Sequence, residues 1–284
     1  MIDDATLAER GAQTVPANGI DIAYVEAGDG PPLVLLHGGL ASTGPLWAGS
    51  PVAFVADMAA LAKHFRVIAP DTRGSGATVH GNGGASFSVL ADDVLALIDS
   101  MGLDRPLLAG FSEGAATATI VAIRQPGAVR ALAAHAGYDI FNPQAPVFAI
   151  GRTIFGGNAE ATEADPDVAE AAFQGTPLMA ATFATMKADY DSAQGDGHWR
   201  RYLQLFFDRA THSPGYTFDD YRAITAPTLI LTGDRDHFCS VEEAVVAYRN
   251  LPAGELAIVP RTEHVITPAT VDTTIEFLLR HVNP

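Results

Sequence analysis

The hydrophobic positions along the chain follow two alternating periods. The short apolar runs "PLVLLHGG" (32–39), "RVIAPDTRGSG" (66–76), "PLLAGF" (106–111) and "APTLILTGDRD" (226–236) read as strands buried on both faces. "IDIAYVEAG" (20–28) alternates apolar and polar residues like an early half-buried strand, and "VRALAAHAGY" (129–138) and "GELAIVP" (254–260) complete the strand set. Between these lie segments with apolar residues at helical spacing: "VADMAALAKHF" (55–65), "SFSVLADDVLALIDSMGL" (86–103), "EGAATATIVAIRQP" (113–126), "SVEEAVVAYRNL" (240–251) and "TPATVDTTIEFLLRHV" (267–282). Ser240 and Glu243 have capping-box spacing, and Thr267 followed by Pro268 marks a helix start. The alternation predicts βα units on a largely parallel sheet.

From about Asp139 to Asp220 the strand rhythm stops. The sequence becomes helical, with Gly and Pro interruptions and an acidic stretch, "NAEATEADPDVAEA". A break of roughly 80 residues is far longer than an ordinary connection. The expected division is therefore a core formed by residues 1–138 and 221–284, with a helical insertion at 139–220.

Composition narrows the function. The 284 residues are 48% hydrophobic, enough for one sizeable core. Only 18% are charged, yet the formal net charge is −16. An acidic surface repels phosphate backbones and anionic membranes, so neither nucleic acid nor membrane is an expected partner. No 20-residue apolar span appears, and "MIDDATLAERGAQ" lacks the apolar stretch of a secretory signal; the expectation is a cytoplasmic protein. One cysteine, Cys239, allows no intrachain disulfide, and with no paired base in view it reads as inert. Zinc-ligand spacing, a P-loop and a dinucleotide glycine fingerprint are missing, so no metal and no cofactor is expected. Homo-oligomerisation stays open.

The chemistry concentrates at "LLAGFSEGAAT" (107–117). A G-x-S-x-G match at a strand-to-helix junction has a mechanism: Gly110 and Gly114 leave room for a tight turn that lifts Ser112 above the sheet edge, at a helix N-terminus. A serine hydroxyl needs a base, and the base needs an orienting acid. Of nine histidines, His264 is the best placed, in the "RTEHVITP" loop between the last strand and the closing helix. His37, beside the first glycine loop, reads as a brace for loop backbone, and the other histidines as surface or packing residues. Asp236 is preferred as the acid because it lies further into its loop than Asp234, which reads as a turn cap. The backbone N–H groups of Glu113 and Gly39, or of Gly38 as second choice, are candidate donors to an oxyanion.

Glycine loop, serine elbow, aspartate after a late strand and histidine before the last helix, in that order, resemble the α/β-hydrolase superfamily. "LLHGG", "APDTRGSG", "LLAGFSEG", "PTLILTGDRD" and the "EH" loop carry the likeness over nearly the whole chain. The resemblance implies an eight-stranded, mostly parallel sheet flanked by helices, with a helical cap after the sixth strand. It also implies a nucleophile at Ser112, an acid at Asp236, a base at His264, and architectural roles for Asp71, Arg73 and Gly74. Serine at the elbow argues against the dehalogenase and epoxide-hydrolase branches, which use aspartate. "HGGLAS" without proline, and Val265 after His264 where tryptophan is usual, weaken a carbon–carbon bond hydrolase reading.

Glu113 is expected to face solvent or the polar start of its helix. The insertion supplies Phe148, Phe155, Met179, Phe183, Met186, Tyr190, Trp199, Phe206 and Phe207. At least half should pack the insertion onto the core; Phe148, Phe183 and Trp199, with Gly38, are the substrate-binding candidates. The leading expectation is a serine hydrolase cleaving a small-to-medium, mostly apolar ester, lactone or thioester, acting on a small molecule. The alternatives are carbon–carbon cleavage, acyl transfer or cyclisation at the same site, or a ligand-binding protein of the same fold.

Overall fold

The computed structural model describes residues 13–44, 47, 50, 53, 58–81 and 84–282. Eight strands form one sheet in the order β1-β2-β4-β3-β5-β6-β7-β8. They are β1 (Gln13–Ala17), β2 (Ile20–Ala27), β3 (Pro32–Leu36), β4 (Arg66–Pro70), β5 (Leu107–Phe111), β6 (Leu132–His135), β7 (Thr228–Gly233) and β8 (Gly254–Val259). The β1–β2 and β2–β4 pairs are antiparallel; every later pair is parallel.

The continuous apolar runs go to the middle of the sheet. All five residues of β5 and all six of β7 are buried, because helices cover both faces there. Helix α1 (Met58–Leu61) precedes β4, α2 (Phe87–Ser100) precedes β5 and α3 (Glu113–Arg124) follows it. Helices α8 (Val241–Asn250) and α9 (Pro268–Leu279) pack on β7 and β8. Helix starts follow the local signals. Ser240 Oγ accepts the Glu243 N–H, and Thr267 and Thr270 form a capping box ahead of Pro268. Glu243 does not complete a box at Ser240, because its carboxylate accepts instead from Asn142.

Two elements differ from the sequence expectation. Strand β1 was not foreseen; it pairs with β2 through a turn at Asn18 and Gly19, whose φ angles are 47° and 74°. The helix expected over 55–65 is only the short α1, while residues 54–57 lie outside the described residues.

Between β6 and β7 stand four further helices: α4 (Val147–Gly156), α5 (Pro166–Phe173), α6 (Pro177–Gln194) and α7 (His198–Ala210). Their inward aromatics form a second apolar cluster with Leu40, Ala41 and Trp47, separate from the core around the sheet. Among the described residues no helix is long and apolar enough to cross a membrane.

Candidate active site

The strand order decides what meets. The order in which strands are added reverses at β3, with β4 on one side and β5 on the other, and ligands in open α/β sheets bind at such a switch, beyond the carboxyl ends of the strands. Ser112 follows β5 directly, the Gly38–Gly39 loop follows β3, Asp236 follows β7 and His264 follows β8.

Ser112 takes φ 52° and ψ −119°, a left-handed backbone held by the elements on either side. Conformations of this kind cost about 1–3 kcal/mol and persist only where the surroundings impose them. Here the turn is so tight that a methyl group on Gly110 would strike the Gly114 backbone, and one on Gly114 would strike the carbonyls of Leu36 and His37. Gly137 is a third such position, facing the Ser112 carbonyl; it escaped the sequence reading because no motif marks it.

His264 Nε2 lies 3.1 Å from Ser112 Oγ, and Nδ1 lies 2.7 Å from Asp236 Oδ2. A carboxylate only accepts, so the Nδ1 proton faces Asp236 and Nε2 is left to accept from Ser112. Phe111 and Phe238 hold the imidazole between them, with ring centroids 4.8 and 5.0 Å away. Asp236 Oδ1 accepts the N–H groups of Phe238 and Cys239, each at 2.9 Å. Burial pushes the Asp236 carboxyl up, but the His264 bond and charge and those two amides outweigh it, leaving it below the usual carboxylate range. Asp234 serves a different purpose: its carboxylate accepts the Thr262 N–H and joins the β7 and β8 loops.

The supporting residues are architectural. His37 Nδ1 contacts the Gly38 carbonyl and Nε2 accepts the Thr72 N–H, so the ring braces the glycine loop. Asp71 accepts from Thr43 and Ala77, and buried Arg73 pairs with Asp93. His135 is buried against Phe111, with neither ring nitrogen hydrogen-bonded. Burial, reinforced by His264, lowers its pKa to about 3, so it stays neutral.

A cavity of about 200 Å³ opens over Ser112. Gly38, Gly39, Glu113, Asp139, Phe155, Met179, Phe206, Phe238 and Cys239 are among its walls. Three of the candidate ligand contacts are absent from this lining. Phe148 is buried in the core around the sheet, while Phe183 and Trp199 stack edge-on at 5.7 Å inside the second cluster. Each fills the protein interior, where burying a large apolar side chain stabilises by about 2–3 kcal/mol. Glu113 also departs from expectation. It is buried, and its carboxylate takes two bonds from Arg209 of α7, at 2.7 and 3.1 Å.

Asp139 and Cys239 face each other across the cavity wall, the thiol donating to Asp139 Oδ1 at 2.9 Å. Burial pushes the Asp139 carboxyl up to about 6 and the Cys239 thiol well above its usual value, so the sulfur is no thiolate. Asp236, Cys239 and His264 have ligand atoms within 4.8 Å of one another. They make a poor metal cage, because both Asp236 oxygens, the His264 nitrogens and the thiol proton are already engaged.

Comparison with known proteins agrees with this architecture. The family model described as alpha/beta hydrolase fold matches residues 31–269. Over 101 residues the chain is 38% identical to the soluble epoxide hydrolase of Corynebacterium sp. strain C12, covering 36% of this chain and 32% of that one. It is 26% identical over 263 residues to the 2-(acetamidomethylene)succinate hydrolase of Mesorhizobium japonicum, covering 91% and 90%. Several curated relatives match over only about a third of their own length (32–37%). The crystal structure of the carboxylesterase CesB (YbfK) of Bacillus subtilis superposes with a TM-score of 0.70 at 19% identity, covering 99% of this chain and 94% of that one. With the family model spanning most of its length, this chain belongs to the alpha/beta hydrolase fold family.

Proposed function

We propose that the protein is a serine hydrolase acting on small-to-medium, mostly apolar carboxylic esters, lactones or thioesters. The observation that carries this reading is the unbroken relay from Ser112 Oγ through His264 to buried Asp236. His264 Nε2 takes the hydroxyl proton as Ser112 attacks the carbonyl carbon. The Gly39 and Glu113 amides, both at the cavity wall, donate to the resulting oxyanion. Collapse of the tetrahedral adduct breaks the bond to the leaving oxygen or sulfur, which takes the proton from His264. Water, deprotonated by the same imidazole, then releases the acid and restores Ser112. Asp236 stays ionised throughout and stabilises the imidazolium.

The cavity supports the substrate class. A cavity of about 200 Å³ walled mostly by apolar side chains suits a short acyl or aryl acid. Among its described lining residues there is no lysine or arginine, while Asp139 is acidic and Glu113 is neutralised by Arg209. A substrate carrying a free carboxylate, as the succinate named for the Mesorhizobium relative does, would enter without a cation to meet it. Epoxide opening, named for the Corynebacterium relative, fits the elbow poorly: serine attack on an epoxide carbon leaves an ether, with no carbonyl for water to attack. The four helices at 147–210 are read as a cap that closes over the site.

Ser112→Ala is expected to cut turnover of a panel of 4-nitrophenyl esters by about 10⁴–10⁶-fold without lowering the melting temperature. Near-normal turnover by the alanine variant would refute the mechanism.

A further inference from the structure

One helix reaches both chain segments that flank Ser112. From α7, Arg209 grips the side chain of Glu113, the residue after the serine. About two turns earlier on the same helix, Tyr202 Oη accepts the Leu40 N–H at 3.4 Å, immediately beyond Gly39. The two are joined, since Arg209 Nη2 donates to the same Tyr202 oxygen at 3.3 Å. Between them Phe206 packs against Gly39, where a methyl group would overlap its ring. Tyr202 and Phe206 are stacked with centroids 6.4 Å apart, and the guanidinium sits 5.6 and 5.9 Å from their rings.

These contacts act on a loop that needs support. Leu40 has φ 65°, a left-handed conformation that a branched side chain adopts only under constraint. Glu113 brings a second requirement. An unpaired buried carboxylate one residue from the nucleophile would repel negative charge developing on the substrate oxygen; Arg209 cancels it. Arg209 and Tyr202 are not among the residues lining the cavity, so neither is placed to touch substrate.

Resting on the serine-hydrolase reading above, we infer that Tyr202 and Arg209 are positioning residues that hold the two oxyanion donors, Gly39 and Glu113, in place. The oxyanion site is thus complete only while α7 is seated on the core. Seating of the interpolated helices and catalytic competence become one event.

Tyr202→Phe keeps the stacked ring and deletes the hydroxyl to which Leu40 and Arg209 donate and which also bonds Tyr190. With 4-nitrophenyl butyrate, kcat should fall about tenfold while KM stays within about twofold, a loss confined to the transition state. Second-order labelling by an alkyl fluorophosphonate and inhibition by an alkyl trifluoromethyl ketone, both of which place an oxyanion in the same site, should weaken by the same factor. The melting temperature should hold. Unchanged labelling and kcat would overturn the inference, as would a rise in KM with trifluoromethyl ketone inhibition intact. For the charge, Arg209→Met should slow labelling more than Tyr202→Phe does, and Glu113→Gln/Arg209→Met should recover part of the loss. Absence of recovery would overturn the charge-cancelling role; if Arg209→Met does not fold, the double variant labelling more slowly than Tyr202→Phe would do so. Wild-type protein that fluorophosphonate fails to label refutes the serine-hydrolase reading itself, whereas labelled wild type with an equal Tyr202→Phe rate refutes this inference alone.

Discussion

Two carboxyl groups near His264 are held in opposite ways. Asp236 accepts an imidazole N–H and two backbone amides, so its charge is favoured despite burial. Asp139, on the cavity wall, has the Cys239 thiol and its own backbone N–H, too little to offset burial, which raises it from 3.8 to about 6. The folded protein therefore binds the Asp139 proton more tightly than the unfolded chain does. The stability this contributes is full below about pH 4 and is lost as pH rises through about 6. Asp139→Asn keeps an acceptor for the thiol but does not titrate. Its unfolding free energy relative to wild type should rise between pH 4 and 6 and level off above, by on the order of 2–3 kcal/mol, as read from urea unfolding across that range. A difference independent of pH would contradict this. At this scale the sequence was informative where a residue type and a strand end coincide: Ser112, Asp236 and His264 each follow one. It was silent on Glu113, because its partner Arg209 lies 96 residues away on a helix with no marking motif.

Elements are positioned by close backbone contact at the elbow. Helix α3 lies on β5 and β3 so tightly that Gly114 faces the carbonyls of Leu36 and His37 without room for a side chain. Gly114→Ala should destabilise the fold by about 2–3 kcal/mol, since backbone must move. Gly84→Ala, with nothing within 4 Å of the added methyl, should stay within about 0.5 kcal/mol of wild type by thermal unfolding. Strand β1 was legible in principle: Asn-Gly between two strands is the signal of a tight hairpin turn, but Pro16 and the short run on an edge strand masked it. The aromatics of the interpolated helices were legible as apolar and not as directional. Phe155 and Phe206 face the cavity whereas Phe183 and Trp199 face their neighbouring helices, and only tertiary packing separates the two sets.

For the molecule as a whole, topology gathers chemistry that the chain keeps apart. The separation of 152 positions from Ser112 to His264 is spanned because β5, β6, β7 and β8 are successive neighbours that all end at one edge of the sheet. The four helices inserted between β6 and β7 come back over that same edge, which is how Tyr202 and Arg209 reach the loops beside Ser112. The βα rhythm and its interruption were readable from apolar periodicity. How the interruption folds back was not, because helix-to-core docking depends on shape rather than period. The most direct trial of the account is mass spectrometry of protein quenched during turnover of 4-nitrophenyl butyrate. An acyl adduct on the peptide containing Ser112, absent from Ser112→Ala, is the predicted result; sustained turnover with Ser112 unmodified and the alanine variant equally active would contradict it.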